Sequence, residues 1–95
     1  MRIIGRLPHP QLQITVFSND GRFPVQFEYR GQTQQYRFRQ GPGMANLGDV
    51  KKVVDAAFIA EVLRIFTHMQ TAQARLVRDY LTEEGPADNE LPNII

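Results

Sequence analysis

Arg22-Phe23-Pro24-Val25-Gln26-Phe27-Glu28-Tyr29-Arg30-Gly31-Gln32-Thr33-Gln34-Gln35-Tyr36-Arg37-Phe38-Arg39 is the stretch whose reading decides the fold. From Arg22 to Arg30 the apolar side chains Phe23, Val25, Phe27 and Tyr29 fall on every second position, and from Thr33 to Arg39 Tyr36 and Phe38 share a side. Period-two alternation rich in β-branched and aromatic residues is the pattern of half-buried strands. Gly31-Gln32 suits a two-residue type II′ turn, which takes glycine at its first central position. That hairpin sets Phe27 opposite Tyr36 and Val25 opposite Phe38.

Upstream, Gln11–Phe17 alternates in the same way, with Leu12, Ile14 and Val16 on one side. Ser18-Asn19-Asp20-Gly21 reads as a four-residue connection with glycine available for a left-handed position. Closing it between Phe17 and Arg22 gives the rungs Leu12–Phe27–Tyr36 and Ile14–Val25–Phe38. A slip of one residue would send a strand's apolar set to solvent, so the faces are strongly specified. Pro24 cannot donate to a ladder and is expected to mark a bulge or an end of pairing. Arg2–Leu7 reads as a further strand, joined through Pro8-His9-Pro10 either as a hairpin partner of Gln11–Phe17 or elsewhere on the sheet.

Downstream, Gln40-Gly41-Pro42-Gly43 ends the strands and Asn46 is a candidate N-cap, with Asp49 in the first turn. Apolar residues then recur at helical spacing from Leu47 to Tyr80, and Gly85-Pro86 supplies stop signals. The fold class is therefore α+β: an antiparallel β-meander of three to four strands packed on a long C-terminal amphipathic helix. A break near residue 55 is one reading, because Asp55 could cap a second helix. Residues 1–84 form one domain, and 85–95 an acidic tail expected to be disordered, whose Leu91, Ile94 and Ile95 are alternatively a docking element.

As one helix, Leu47–Thr82 would run about 54 Å, whereas strands of this length span roughly 25–30 Å. The surplus keeps an apolar side at Met69, Ala72, Leu76 and Tyr80. Such a stripe is expected to meet a second molecule, and these four residues are the candidate oligomer interface. The competing reading is a monomer whose N-terminal segment covers the stripe.

The 95 residues, 42% hydrophobic and 22% charged, suit a single globular domain with its own core. Absence of cysteine excludes disulfides and thiolate zinc sites and fits a cytoplasmic address. Met1–Pro8 lacks the apolar run of a signal peptide, and no stretch is apolar enough to span a membrane. Net charge is +1, but residues 1–40 hold six arginines against Asp20 and Glu28, while Glu83, Glu84, Asp88 and Glu90 crowd the C-terminus.

The predicted solvent face of the meander carries Gln11, Gln13, Thr15, Phe17, Arg22, Gln26, Glu28, Arg30, Thr33, Gln35, Arg37 and Arg39. Arg22, Arg30, Arg37 and Arg39 on a flat sheet could track phosphates, although Phe17 is the only stacking platform and Glu28, diagonal to Arg37, is expected to pair with it. His9 and His68 are isolated, and Asp49, Asp55 and Glu61 stand six apart, sharing no helix face. Ser18 sits in a turn without a base, and Gly41-Pro42-Gly43 lacks the Lys and Ser/Thr of a phosphate loop. No catalytic residue, metal ligand or cofactor is expected.

Three functional readings follow. The leading one is a non-enzymatic interaction or structural module, homodimeric through the C-terminal helix or the sheet edges, with an unidentified protein partner as a variant. The alternative is a nucleic-acid-binding protein using the arginine-rich face. The third is a small enzyme whose site assembles from distant residues.

Overall fold

The computed structural model describes residues 1–83, with side chains through Tyr80; the acidic tail at 85–95 and its candidate docking residues lie outside the described residues. Four strands, β1 (Arg2–Leu7), β2 (Gln13–Ser18), β3 (Arg22–Tyr29) and β4 (Gln32–Arg39), form one antiparallel sheet in sequential order. Two helices follow, α1 (Leu47–Val53) and α2 (Ala56–Glu83). The α+β meander with a long C-terminal helix is thus the architecture, and the break falls at Val54–Asp55. β1 is the hairpin partner of β2, so the N-terminal segment is an edge strand and does not lie over the far end of the helix.

The faces of the sheet follow the alternation, but both hairpins close two residues away from the expected register. Ile14 pairs with Phe27 and Val16 with Val25, while Phe27 lies opposite Gln34, Val25 opposite Tyr36 and Phe23 opposite Phe38. The cause lies in the turns. Asp20 and Gly21 have φ of 52° and 79°, and Arg30 and Gly31 have φ of 47° and 81°. Positive φ at both central residues is the type I′ geometry, whose twist matches that of the flanking strands. The Asp20-Gly21 turn is closed by reciprocal backbone hydrogen bonds between Asn19 and Arg22 of 2.9 and 3.1 Å. A shift of two leaves every side chain on its own face, so the hydrophobic pattern is blind to it.

Pro24 is opposite Arg37 in an unbroken β3–β4 ladder, and on the other side the β2–β3 pairs stop at Val16–Val25, just before it. The bulge lies instead in β1, between Ile3 and Gly5. At Gly5 a Cβ would stand 2.6 Å from a Leu47 methyl, so the missing side chain lets α1 approach β1.

One sheet face packs on the helices. Leu7, Leu12, Ile14, Val16, Phe23, Val25 and Phe27 meet Val50 and Val54 from the α1 end and Val62 and Phe66 from α2. Phe58 of α2 stands edge-on to Tyr36 with centroids 5.2 Å apart, and Phe66 lies 5.5 Å from Tyr29. Gln34, on the inner face of an edge strand, is buried; its Nε2 donates to the Val62 carbonyl at 3.0 Å and its Oε1 accepts from the Tyr36 hydroxyl. Satisfying both ends of the amide lets a polar side chain sit in the sheet–helix seam.

The helix starts are locally encoded. Asn46 Oδ1 accepts from the Asp49 amide at 2.9 Å, and Asp49 Oδ2 accepts in return from the Ala45 amide at 2.8 Å. Asp55 Oδ1 accepts from the Phe58 amide at 2.9 Å and opens α2. Asn46 and Asp55 take up amides that the first turn of a helix leaves unpaired, and Asp49 reaches back to the amide ahead of the cap.

Candidate interaction surfaces

On α2 the residues turned to the sheet are Phe58, Val62, Phe66 and Met69, all buried or half-buried against the core. The stripe then turns polar. Gln73 Oε1 accepts from Gln32 Nε2 at 3.0 Å, beside the β3–β4 turn, and Gln70 presents a buried Nε2 without a hydrogen-bond partner, as does Gln32 its Oε1. This amide seam is where the sheet ends and α2 continues.

The 28 residues of α2 amount to about 42 Å at the helical rise, and the molecule measures 55 × 26 × 18 Å. Beyond Gln73 the apolar spacing resumes. Val62, Phe66, Met69, Gln73, Leu76 and Tyr80 follow one another at alternating intervals of four and three, the seam spacing of paired helices. Leu76 is 51% and Val77 39% exposed, on the face that packs intramolecularly two turns earlier. Ala72 and Ile65 extend this exposed apolar surface along the flank toward the sheet.

Of the four expected interface residues, Ala72 and Leu76 are exposed and Tyr80 is half-buried, whereas Met69 packs on the core and serves the chain's own fold. Val77 and Ile65, outside those four, lie at the two edges of the same apolar series, where spacing alone does not separate an exposed contact from the buried stripe.

The outer sheet face holds the arginines, and the register change rearranges them. Arg22 is directly opposite Arg39, and Arg37, two residues along β4, is opposite Pro24. Glu28 is opposite Thr33, away from Arg37, and accepts a hydrogen bond from Gln26; the expected Glu28–Arg37 pair is absent. Arg30 is at the other end of the sheet, its guanidinium 5.3 Å from the centroid of the Tyr29 ring. Three of the four candidate polyanion residues are therefore together and the fourth is apart. Thr15, which points outward by alternation, is buried beneath its neighbours at 4% exposure.

A shallow depression of about 260 Å³ lies at the arginine cluster, lined by Asn19, Asp20, Arg22, Pro24 and Arg37. A second groove, near the entry to α1, is lined by Arg2, Ile4, Ser18, Phe23, Gln40 and Leu47 among others, with Arg2 as its only charged group. His9 is a structural residue: its Nδ1 accepts from the amides of Gln11 and Leu12 at 3.0 and 3.1 Å and shapes the β1–β2 turn. His68 is exposed on α2. Among the described residues no three His, Asp or Glu side chains are grouped as a metal site, and no helix is long and apolar enough to cross a membrane.

No family model, curated protein or solved structure matches this chain.

Proposed function

We propose that the protein is a non-enzymatic module that self-associates through the end of α2, with a second copy of the same chain as its partner. The observation that carries this reading is the return of apolar residues, Leu76 and Val77, on the core-facing side of α2 after the sheet has ended. A two-fold contact needs only a patch complementary to itself, and a straight apolar helix stripe meets that condition. Stable interfaces bury about 800 Å² on each partner. Two or three side chains fall short of that area, so the interface takes in Ala72 and Ile65 along the flank. A cytoplasmic setting is part of the proposal and is supported by the cysteine-free sequence.

Light-scattering chromatography tests it. The wild-type chain is expected at twice its formula mass, and Leu76→Asp at the single mass with an unchanged circular dichroism spectrum. Leu76 is exposed, so the substitution puts a charge into the contact and leaves the core intact. A wild-type monomer at all concentrations, or a Leu76→Asp dimer, would sink the reading.

A further inference from the structure

We propose that the Arg22–Arg37–Arg39 cluster is a binding site for consecutive phosphate groups, at the Asp20-Gly21 end of the outer sheet face. The site is independent of the self-association surface, being on the other face of the sheet and toward its opposite end.

Three observations converge on this corner. First, Arg22 and Arg39 are directly opposed on neighbouring strands. Like charges in that position repel and work against the pairing, so a bound anion would remove a repulsion as well as add an attraction. Second, none of the three guanidinium groups has an ion-pair partner among the described residues, where the ion pairs are Arg64–Glu61 and Arg78–Asp79. Glu28, the acidic residue of this face, is further along the sheet and engaged by Gln26. Asp20 does line the depression and offsets one positive charge, leaving a surplus of two. Third, the depression lined by Asn19, Asp20, Arg22, Pro24 and Arg37 gives an anion a seat at this corner, beside the opposed Arg39.

The guanidinium fork pairs with carboxylate and phosphate alike, so the choice of phosphate rests on the number and line of the groups. Guanidinium groups present planar pairs of N–H donors that match phosphate oxygens, and three such groups suit several phosphates in series better than one carboxylate. Position along the sheet also matters. Arg37 and Arg39 are two residues apart on an edge strand, so an extended chain of phosphates could lie along β4 without steric conflict from a fifth strand. A nucleic-acid strand and a free oligophosphate share this chemistry.

The test uses two probes with the full-length chain at about 50 mM salt: a fluorescein-labelled oligothymidine of about twelve nucleotides, followed by anisotropy, and inorganic tripolyphosphate, followed by calorimetry. Binding of at least one probe is expected, weakened about tenfold or more in R37A/R39A. The salt slope for the oligonucleotide should fall by about one for each arginine removed. R30A, at the far end of the sheet, should bind as the wild type does. Binding of the oligonucleotide alone identifies a strand as the source of the phosphates, and binding of tripolyphosphate alone identifies a small ligand. No binding of either probe, or a loss in R37A/R39A no greater than in R30A, overturns the proposal. All three arginines of the cluster are exposed, so the variants keep the fold.

Discussion

Arg30 occupies a backbone position that its side chain disfavours. Its φ of 47° lies in the left-handed region, which costs an L-residue about 1–2 kcal/mol and which asparagine tolerates through local hydrogen bonding. Against that stands the guanidinium over Tyr29, worth about 0.5–1 kcal/mol at an exposed site. The conformational effect is the larger one. Arg30→Asn should therefore raise the free energy of unfolding by about 0.5 kcal/mol, read as a higher denaturant midpoint at unchanged slope. A lower midpoint would mean that the stacking on Tyr29 outweighs the backbone. The same residue accounts for the difference of two between the register that the alternation suggests and the observed one. Arginine is not a usual first residue of a type I′ turn, so Gly31 looked like the start of a type II′ turn and the pairing moved by two. Asp20-Gly21 did carry the type I′ signature, but a longer loop ending in glycine satisfied the alternation equally well.

Among elements, the helices were the most legible, because their ends are written in single side chains. Asn46 and Asp55 each accept from an amide three residues ahead, and α1 and α2 begin where those caps place them. Asp55→Ala should cost about 1 kcal/mol of stability by urea denaturation, and Asp55→Asn should recover most of it, since the amide oxygen can accept the same bond. Equal damage from both variants would show that the carboxylate charge near the helix start, and not the hydrogen bond, is what matters. Strand faces were legible for a similar reason: Ile14, Val16, Val25 and Phe27 alternate with polar residues and are buried. What the alternation could not supply was the neighbour across each rung. Arg22 and Arg39 become opposed, and Glu28 leaves Arg37, only once the turn geometry is known. The candidate anion site was thus visible as a composition and invisible as a constellation. Gln34 was hidden by its type, since a buried glutamine on an inner face becomes readable only when the Val62 carbonyl and the Tyr36 hydroxyl are seen beside it.

At the scale of the molecule, the body is a sheet with helices on one face, and α2 carries an apolar stripe past its end. If that stripe is covered by a second copy, amide exchange should report it as a function of concentration. Amides at residues 74–80 should exchange quickly in dilute protein and slow as the concentration rises, while those of Val62 and Phe66 stay slow throughout. Exchange at 74–80 that ignores concentration would place the contact elsewhere. The sequential strand order has a consequence of a different kind. Each strand pairs with its neighbour in the chain, and two of the three connections are two-residue turns. Closing such short loops sacrifices little chain entropy, and hairpins of this type form in about 1–10 μs. The long-range step is the arrival of α2 on β3 and β4, which joins Phe58 to Tyr36, 22 positions earlier, and Phe66 to Tyr29, 37 positions earlier. The sheet's pairing is therefore the local part of the search for the native state, and the docking of the helix is the part that closes the longer stretches of chain.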